Sequence, residues 1–405
     1  MSPKHCFPRA FRACILVFVL VAGAVAAPSP AYPDASPSDG WIVSIGDSAI
    51  SGEAGRWAGN TETDVSNVDA LGASAYFDNA THGAEQIHGC HRSGAAEVHI
   101  SGGVSSLNLA CSGAHTYTVK KKGKDFKPGL DFYSSTDGEK SQLVMLREFA
   151  STHSVKAIAV LIGSNNYRFS DIVRTCVLDW YFSGAWAQRN CQDDPSMKAN
   201  FSPANVDVQT QLVAGALRDI SRTMTQAGYS ADSYTIMAQT YSSPIPPASK
   251  FRNVERGYSR ALAGCAIWDA DADWVQTTVV PTFNNTIKNA VVKSGLDNVK
   301  ILDAQDALAG HRLCEKGVGE LEEVNIASWK SPLASERTEW VQQVRTVTNL
   351  FGPYQLQEDG HPSYWGQLAL RNCLRQAYNN GAPKSGTCTS GKGDNSRGEP
   401  NMIFR

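Results

Sequence analysis

The feature that most constrains this chain is a series of short strand-like runs, each ending in a glycine or a polar turn. They are Trp41–Ile45 before Gly46, Ser105–Ala110 before Cys111-Ser112-Gly113, Ala157–Ile162 before Gly163, Tyr234–Ala238, and Val299–Leu302. Runs this short and apolar suit strands buried on both faces. Helical patterns fall between them, over Ser141–Phe149, Val206–Ala227 and Val254–Ala270, and a last one covers Tyr364–Tyr378. Strands alternating with helices predict an α/β fold with a parallel sheet, whose ligand sites lie at the carboxyl ends of the strands. Polar stretches at Gly52–Gly89, His115–Lys140, Cys176–Ser202 and Cys314–Tyr354 read as loop insertions on the same domain.

The first 26 residues read as a leader. Lys4, Arg9 and Arg12 precede an apolar stretch from Ala13 to Ala27 that holds Ala24-Val25-Ala26, the pattern of a secretory signal peptide with its cleavage site. A Pro/Ser/Ala linker follows, so that residues 27–40 connect the leader to a domain over 41–388. The tail, 389–405, is polar and Gly-rich and is expected to be flexible. The leader removes three of the 37 basic residues and no acidic one, which leaves 34 basic against 39 acidic, net -5. That balance lacks the basic footprint of a nucleic-acid binder. No apolar run is long enough for a transmembrane helix, and the expected product is an extracellular monomer.

Eight cysteines remain after the leader: Cys90, Cys111, Cys176, Cys191, Cys265, Cys314, Cys373 and Cys388. An even number in an exported chain reads as disulfides, for which sequence alone allows on the order of a hundred pairings. No C-x-x-C occurs, and His82, His88, Cys90 and His91 read as a polar loop around a disulfide rather than as a metal site.

Three strand ends carry chemistry. Gly46-Asp47-Ser48 offers a hydroxyl and a main-chain N–H where a strand turns into a helix, the equipment of an acyl-transfer nucleophile. Gly113 can bring an N–H close to a ligand, and Asn165, in Gly163-Ser164-Asn165-Asn166, adds a side-chain amide. Together they would make an oxyanion hole. His361, in Glu358-Asp359-Gly360-His361-Pro362 just before the last helix, can face the same crevice and serve as the base for Ser48.

In this order the four blocks resemble the SGNH (GDSL) hydrolase family, in particular its secreted actinobacterial esterase and lipase branch. Cys90-His91-Arg92-Ser93, Asn108 to Ala114 and Ala307 to Cys314 resemble segments around that family's disulfides. The resemblance spans Trp41 to Tyr378. It implies a three-layer α/β/α sandwich around a five-stranded, parallel, flavodoxin-like sheet. It implies hydrolysis of a small-molecule or lipid carboxylic ester without metal or organic cofactor, with Ser48 as nucleophile and His361 as base. The oxyanion donors would be the Ser48 and Gly113 N–H groups and the Asn165 amide. It also implies the pairs Cys90–Cys111, Cys176–Cys191 and Cys265–Cys314, which leaves Cys373 with Cys388.

Two positions depart from the family. The acid three residues before the histidine is Glu358 where the family has Asp, so Glu358 is the expected third triad member. Asp359 and a main-chain carbonyl are the alternatives. The residue after Asn165 is Asn166 where the family has Asp. Two other readings of function stand beside the esterase or lipase. One is a carbohydrate acetyl esterase, whose Trp180, Tyr181, Trp186 and Trp340 could stack on sugar rings or line an acyl pocket. The other is a noncatalytic glycan- or surface-binding protein on the same fold, which would not need both Ser48 and His361. Gly386–Lys392 falls short of a P-loop, because Gly393 stands where Ser or Thr is required. Asp269, Asp271 and Asp273 lack the later ligands of a calcium loop.

Overall fold

In a computed structural model the chain is described over residues 40–60, 65–120, 126–184, 186–319, 326–346 and 353–405. The leader and the linker before Gly40 lie outside the described residues. The strands are β1 (Trp41–Gly46), β2 (Ser105–Asn108), β3 (Val119–Lys120), β4 (Phe126–Lys127), β5 (Val155–Leu161), β6 (Thr235–Gln239), β7 (Val299–Asp303), β8 (Gly386–Asp394) and β9 (Pro400–Phe404). The main sheet runs β2-β1-β5-β6-β7-β8-β9, and β3 and β4 form a separate ribbon. Its first five strands are parallel neighbours and coincide, within a few residues, with the five runs legible in the sequence. Strand order reverses at β1, which lies between β2 and β5, so the crevice opens at the carboxyl end of β1.

The sheet has seven strands rather than five. β8 pairs with β7 through only two positions, Leu302 with Gly386 and Asp303 with Thr387, and then turns back antiparallel into β9. Residues 389–405, expected to be a flexible tail, are therefore ordered as most of this hairpin. The reason lies in its attachments. Cys388 is disulfide-bonded to Cys373 on the last helix, Met402 is buried, and Arg375 of that helix pairs with the buried Glu399.

Helices Gln142–Ala150, Pro203–Gln226 and Val280–Ser294 pack side by side, while helix Tyr364–Tyr378 packs separately against the hairpin and β7. Ser141 and Ser202 cap the first two, each accepting a hydrogen bond from the third residue onward. The helical pattern over Val254–Ala270 does not form one helix. It breaks into Tyr258–Leu262 and, after an irregular turn, Asp269–Trp274. Gly264 takes φ +75° there, and a Cβ on it would strike the Val344 backbone at 2.8 Å, so the chain turns where a helix would continue. The insertion after Cys176 also holds the end of a helix that periodicity did not expose, Phe169–Phe182.

Candidate active site

β1 ends in a turn that only glycine can make. Gly46 has φ +138°, and a Cβ would lie 2.0 Å from the Leu161 carbonyl oxygen. The Gln142 side chain clamps this residue from both sides. It accepts from the Gly46 N–H at 2.7 Å and donates to the Gly46 carbonyl at 2.8 Å. The Asp47 N–H then donates to the Leu161 carbonyl at 3.0 Å, and the Cys111 N–H to the Gly46 carbonyl at 3.1 Å. The loops after β2 and β5 are thereby stitched to the residue that precedes Ser48.

Asp47 caps the short helix Ser48–Ser51 through the Ala49 N–H. Its carboxylate is fully buried and also accepts from the Ser164 hydroxyl at 3.0 Å and from the Tyr241 hydroxyl. Burial raises its pKa to about 6, against the lowering effect of these donors. Tyr241 in turn accepts from the Ser164 N–H at 2.9 Å. One carboxylate therefore holds the ends of β1, β5 and β6 in register around Ser48. Sequence reading passed over Asp47 and Tyr241. Their signal was available, since each lies within two residues of a strand's carboxyl end.

Ser48 and His361 meet. The Nε2 of His361 is 2.6 Å from the Ser48 Oγ, within reach for proton transfer. The two residues are 313 positions apart in sequence. A strap from the last insertion makes the meeting possible. The Gly360 N–H donates to the Gln342 carbonyl, the Gln342 N–H to the His361 carbonyl at 2.8 Å, and the Ser363 N–H to the Trp340 carbonyl at 2.8 Å. Burial lowers the His361 pKa, which keeps the imidazole neutral and able to accept a proton.

Glu358 does not occupy the position expected of it. Its carboxylate is buried and accepts from the Trp57 indole N–H at 2.8 Å, the Tyr76 hydroxyl at 2.6 Å and the Gln355 N–H at 2.9 Å. Among the described residues none of its side-chain bonds goes to His361, and the buried His361 Nδ1 has no hydrogen-bond partner. The physical reason is the turn itself. Leu356–Glu358 forms a helical turn in which the Glu358 side chain folds back onto the Gln355 N–H as a capping box, away from the histidine. The main-chain groups of Glu358 and Asp359 instead favour the protonated ring. Asp359 accepts from the Arg345 N–H at 2.8 Å through Oδ2, while its Oδ1 is buried and unpartnered. Burial pushes its pKa up to about 7.

The loops flanking β1 carry the other expected groups. Gly113 takes φ +79°, and neither its N–H nor that of Ser48 has an acceptor among the described residues. The Asn165 amide donates to the Ala114 carbonyl at 2.9 Å, which leaves it one further hydrogen beside Gly113. Asn166 joins the same two loops. It accepts from the Thr116 N–H at 3.1 Å and donates to the Thr116 hydroxyl at 2.8 Å.

The remaining residues singled out in the sequence lie elsewhere. Trp340 is buried and stacked on His311 at 3.8 Å, the Trp180 indole donates to the Glu255 carbonyl at 3.0 Å, and Trp186 is 93% exposed. Neither they nor Tyr181 line the cavity beside Ser48. The His91 ring bonds the buried Glu53 at 2.6 Å and stacks on Tyr76. The disulfides are Cys90–Cys111, Cys176–Cys191, Cys265–Cys314 and Cys373–Cys388.

No family model matches the chain, and no curated protein matches it. Among solved structures, it is similar to an extracellular lipase from Streptomyces rimosus at 14% identity and TM-score 0.42, over 84% of this chain and 99% of that one. It is similar to phospholipase A1 from Streptomyces albidoflavus NA297 at 17% identity and TM-score 0.41, over 83% and 98%. It is also similar to a family two carbohydrate esterase from Clostridium thermocellum at 13% identity and TM-score 0.36, over 88% and 66%.

Proposed function

We propose that this chain is a secreted serine hydrolase of the SGNH kind that cleaves carboxylic esters. The observation that carries the proposal is the 2.6 Å contact between the Ser48 hydroxyl and His361 Nε2 at the reversal point of a parallel sheet. The Ser48 Oγ bonds to the ester carbonyl carbon as its proton passes to His361 Nε2. The resulting oxyanion takes hydrogen bonds from the Ser48 and Gly113 N–H groups and the Asn165 amide. The C–O bond to the alcohol then breaks, and His361 returns the proton to the departing oxygen. A water molecule, deprotonated by the same histidine, releases the acid from the acyl-enzyme. The carbonyls of Glu358 and Asp359 take the role of the third triad member by stabilising the protonated ring. Export rests on the leader pattern, and the four disulfides are in keeping with it.

The aromatic residues offered for sugar stacking lie away from Ser48, so the acetyl esterase reading gains nothing from them. A noncatalytic binding protein would have no use for a nucleophile and base held in contact. The test is covalent labelling. Wild-type protein should react with a fluorophosphonate at Ser48, and Ser48→Ala should lose both the label and nearly all ester hydrolysis. A folded Ser48→Ala protein that hydrolyses esters at the wild-type rate would refute the mechanism.

A further inference from the structure

Ser48 and His361 line a cavity of about 140 Å³ that, among the described residues, has no Asp, Glu, Lys or Arg in its lining. Its walls are Ile172, Val173 and Val177 of helix Phe169–Phe182, Ile267, Val279 and Phe283. Away from the dyad, the polar side chains that reach it are engaged with the protein. The Ser164 and Tyr241 hydroxyls donate to Asp47, the Ser242 hydroxyl to the Ala304 carbonyl, and the Gln239 amide to Glu97. Of these groups only Gln239 Oε1 lacks a partner. That is one acceptor, where a bound sugar ring would need several. Apolar walls of this kind take apolar guests, and a cavity of this size has room for far more than a single methyl, which fills only about the 30 Å³ that a water molecule occupies in the liquid.

Resting on the ester-hydrolase reading, we propose that this cavity holds the acyl chain of the substrate and that the enzyme prefers medium and long acyl chains to acetyl. Two of the disulfides fix its walls. Cys176, which lines the cavity from the helix, is bonded to Cys191, and Cys265, which lines it from the turn after Gly264, is bonded to Cys314. The helix and the turn are the elements that sequence periodicity did not expose.

Two reagents and one ligand separate this inference from the reading beneath it. Ser48 is labelled with methyl and decyl alkylphosphonofluoridates, and decanoate is titrated against Ser48→Ala. Each apolar methylene accommodated by such a pocket raises specificity by roughly 10-fold or more, so decyl labelling should outrun methyl labelling at least 10-fold. Decanoate should bind Ser48→Ala. Val173→Trp, or Val177→Phe should the first variant not fold, should abolish both the decyl preference and decanoate binding by filling the cavity. Methyl labelling as fast as decyl would overturn the acyl-chain assignment and leave the nucleophile standing. Decanoate binding without labelling by either reagent would support the cavity and remove the nucleophile. Neither labelling nor binding would remove both.

Discussion

Replacing Glu358 separates a residue that builds the site from one that runs it. Two of its three donors, Trp57 and Tyr76, are buried, the third is the Gln355 N–H, and among the described residues no bond of its side chain reaches His361. In Glu358→Gln the amide oxygen can keep the Trp57 and Gln355 donors as neutral bonds, while the amide NH2 turns toward a Tyr76 hydroxyl that can accept. Exchanging charge-assisted for neutral hydrogen bonds costs about 1 kcal/mol per bond. Against that, burial already raises the Glu358 pKa, so the uncharged amide escapes part of a desolvation cost. The two effects oppose, and the net change in stability should stay within about 2 kcal/mol. Glu358→Ala removes the acceptors outright and strands the buried Trp57 and Tyr76 donors at about 1–3 kcal/mol each, so stability read from the urea titration should fall by at least about 2 kcal/mol. On the rate the expectation is small. Loss of a true triad acid costs about 10⁴-fold, roughly 5.5 kcal/mol, whereas kcat for Glu358→Gln should fall by less than about 3-fold, or 0.6 kcal/mol. The assay is ester hydrolysis under saturating substrate beside a urea titration. A thousandfold loss of kcat with an unchanged urea midpoint would show that the carboxylate reaches His361 during turnover, and the carbonyl assignment would fall.

Asn165→Ala should lower kcat by about 10²–10³-fold with less change in KM, because its free amide hydrogen serves only the developing oxyanion; an unchanged kcat removes it from the hole. His361 must be neutral to accept the proton, and burial lowers its pKa, so activity should rise with pH with its half-maximum below the ordinary histidine value of about 6.5. A kcat/KM profile whose half-maximum lies above that value would contradict this. Deleting residues 389–405 uncovers Met402's site on the last helix and removes the Arg375–Glu399 pair, and should cost at least about 2 kcal/mol in the urea midpoint from the apolar burial alone. A truncated chain as stable as the whole would mean that the hairpin rests on the domain without supporting it.

What could be read from the sequence, and what could not, divides by the range of the forces involved. β1, β5 and β6 were legible because a buried parallel strand must be apolar along its length, and the turns after β1 and β5 because Gly46 and Gly163 stand where a side chain would collide with a neighbour or force φ into the left-handed half. Ser48, His361 and the Asn165 loop were legible for the same reason: each sits at a strand or helix end, where local pattern locates it. The Glu358 error came from treating a spacing of three residues as if it fixed direction. Direction was set by a capping turn over Gln355–Glu358 and by Trp57 and Tyr76, some 300 residues earlier in the chain, none of which a local window contains. The tail failed in the same way. Taken alone, Thr389 to Arg405 has too little apolar surface to order itself, and it becomes a hairpin only because Cys373, Asn372 and Arg375 present bonding partners along one face of a helix formed earlier. The strap at Trp340–Gln342 completes the pattern, since its polar sequence reads as a loop while its backbone is what brings His361 to the nucleophile. In this molecule the groups proposed to react were visible locally, and the groups that position them were supplied from a distance.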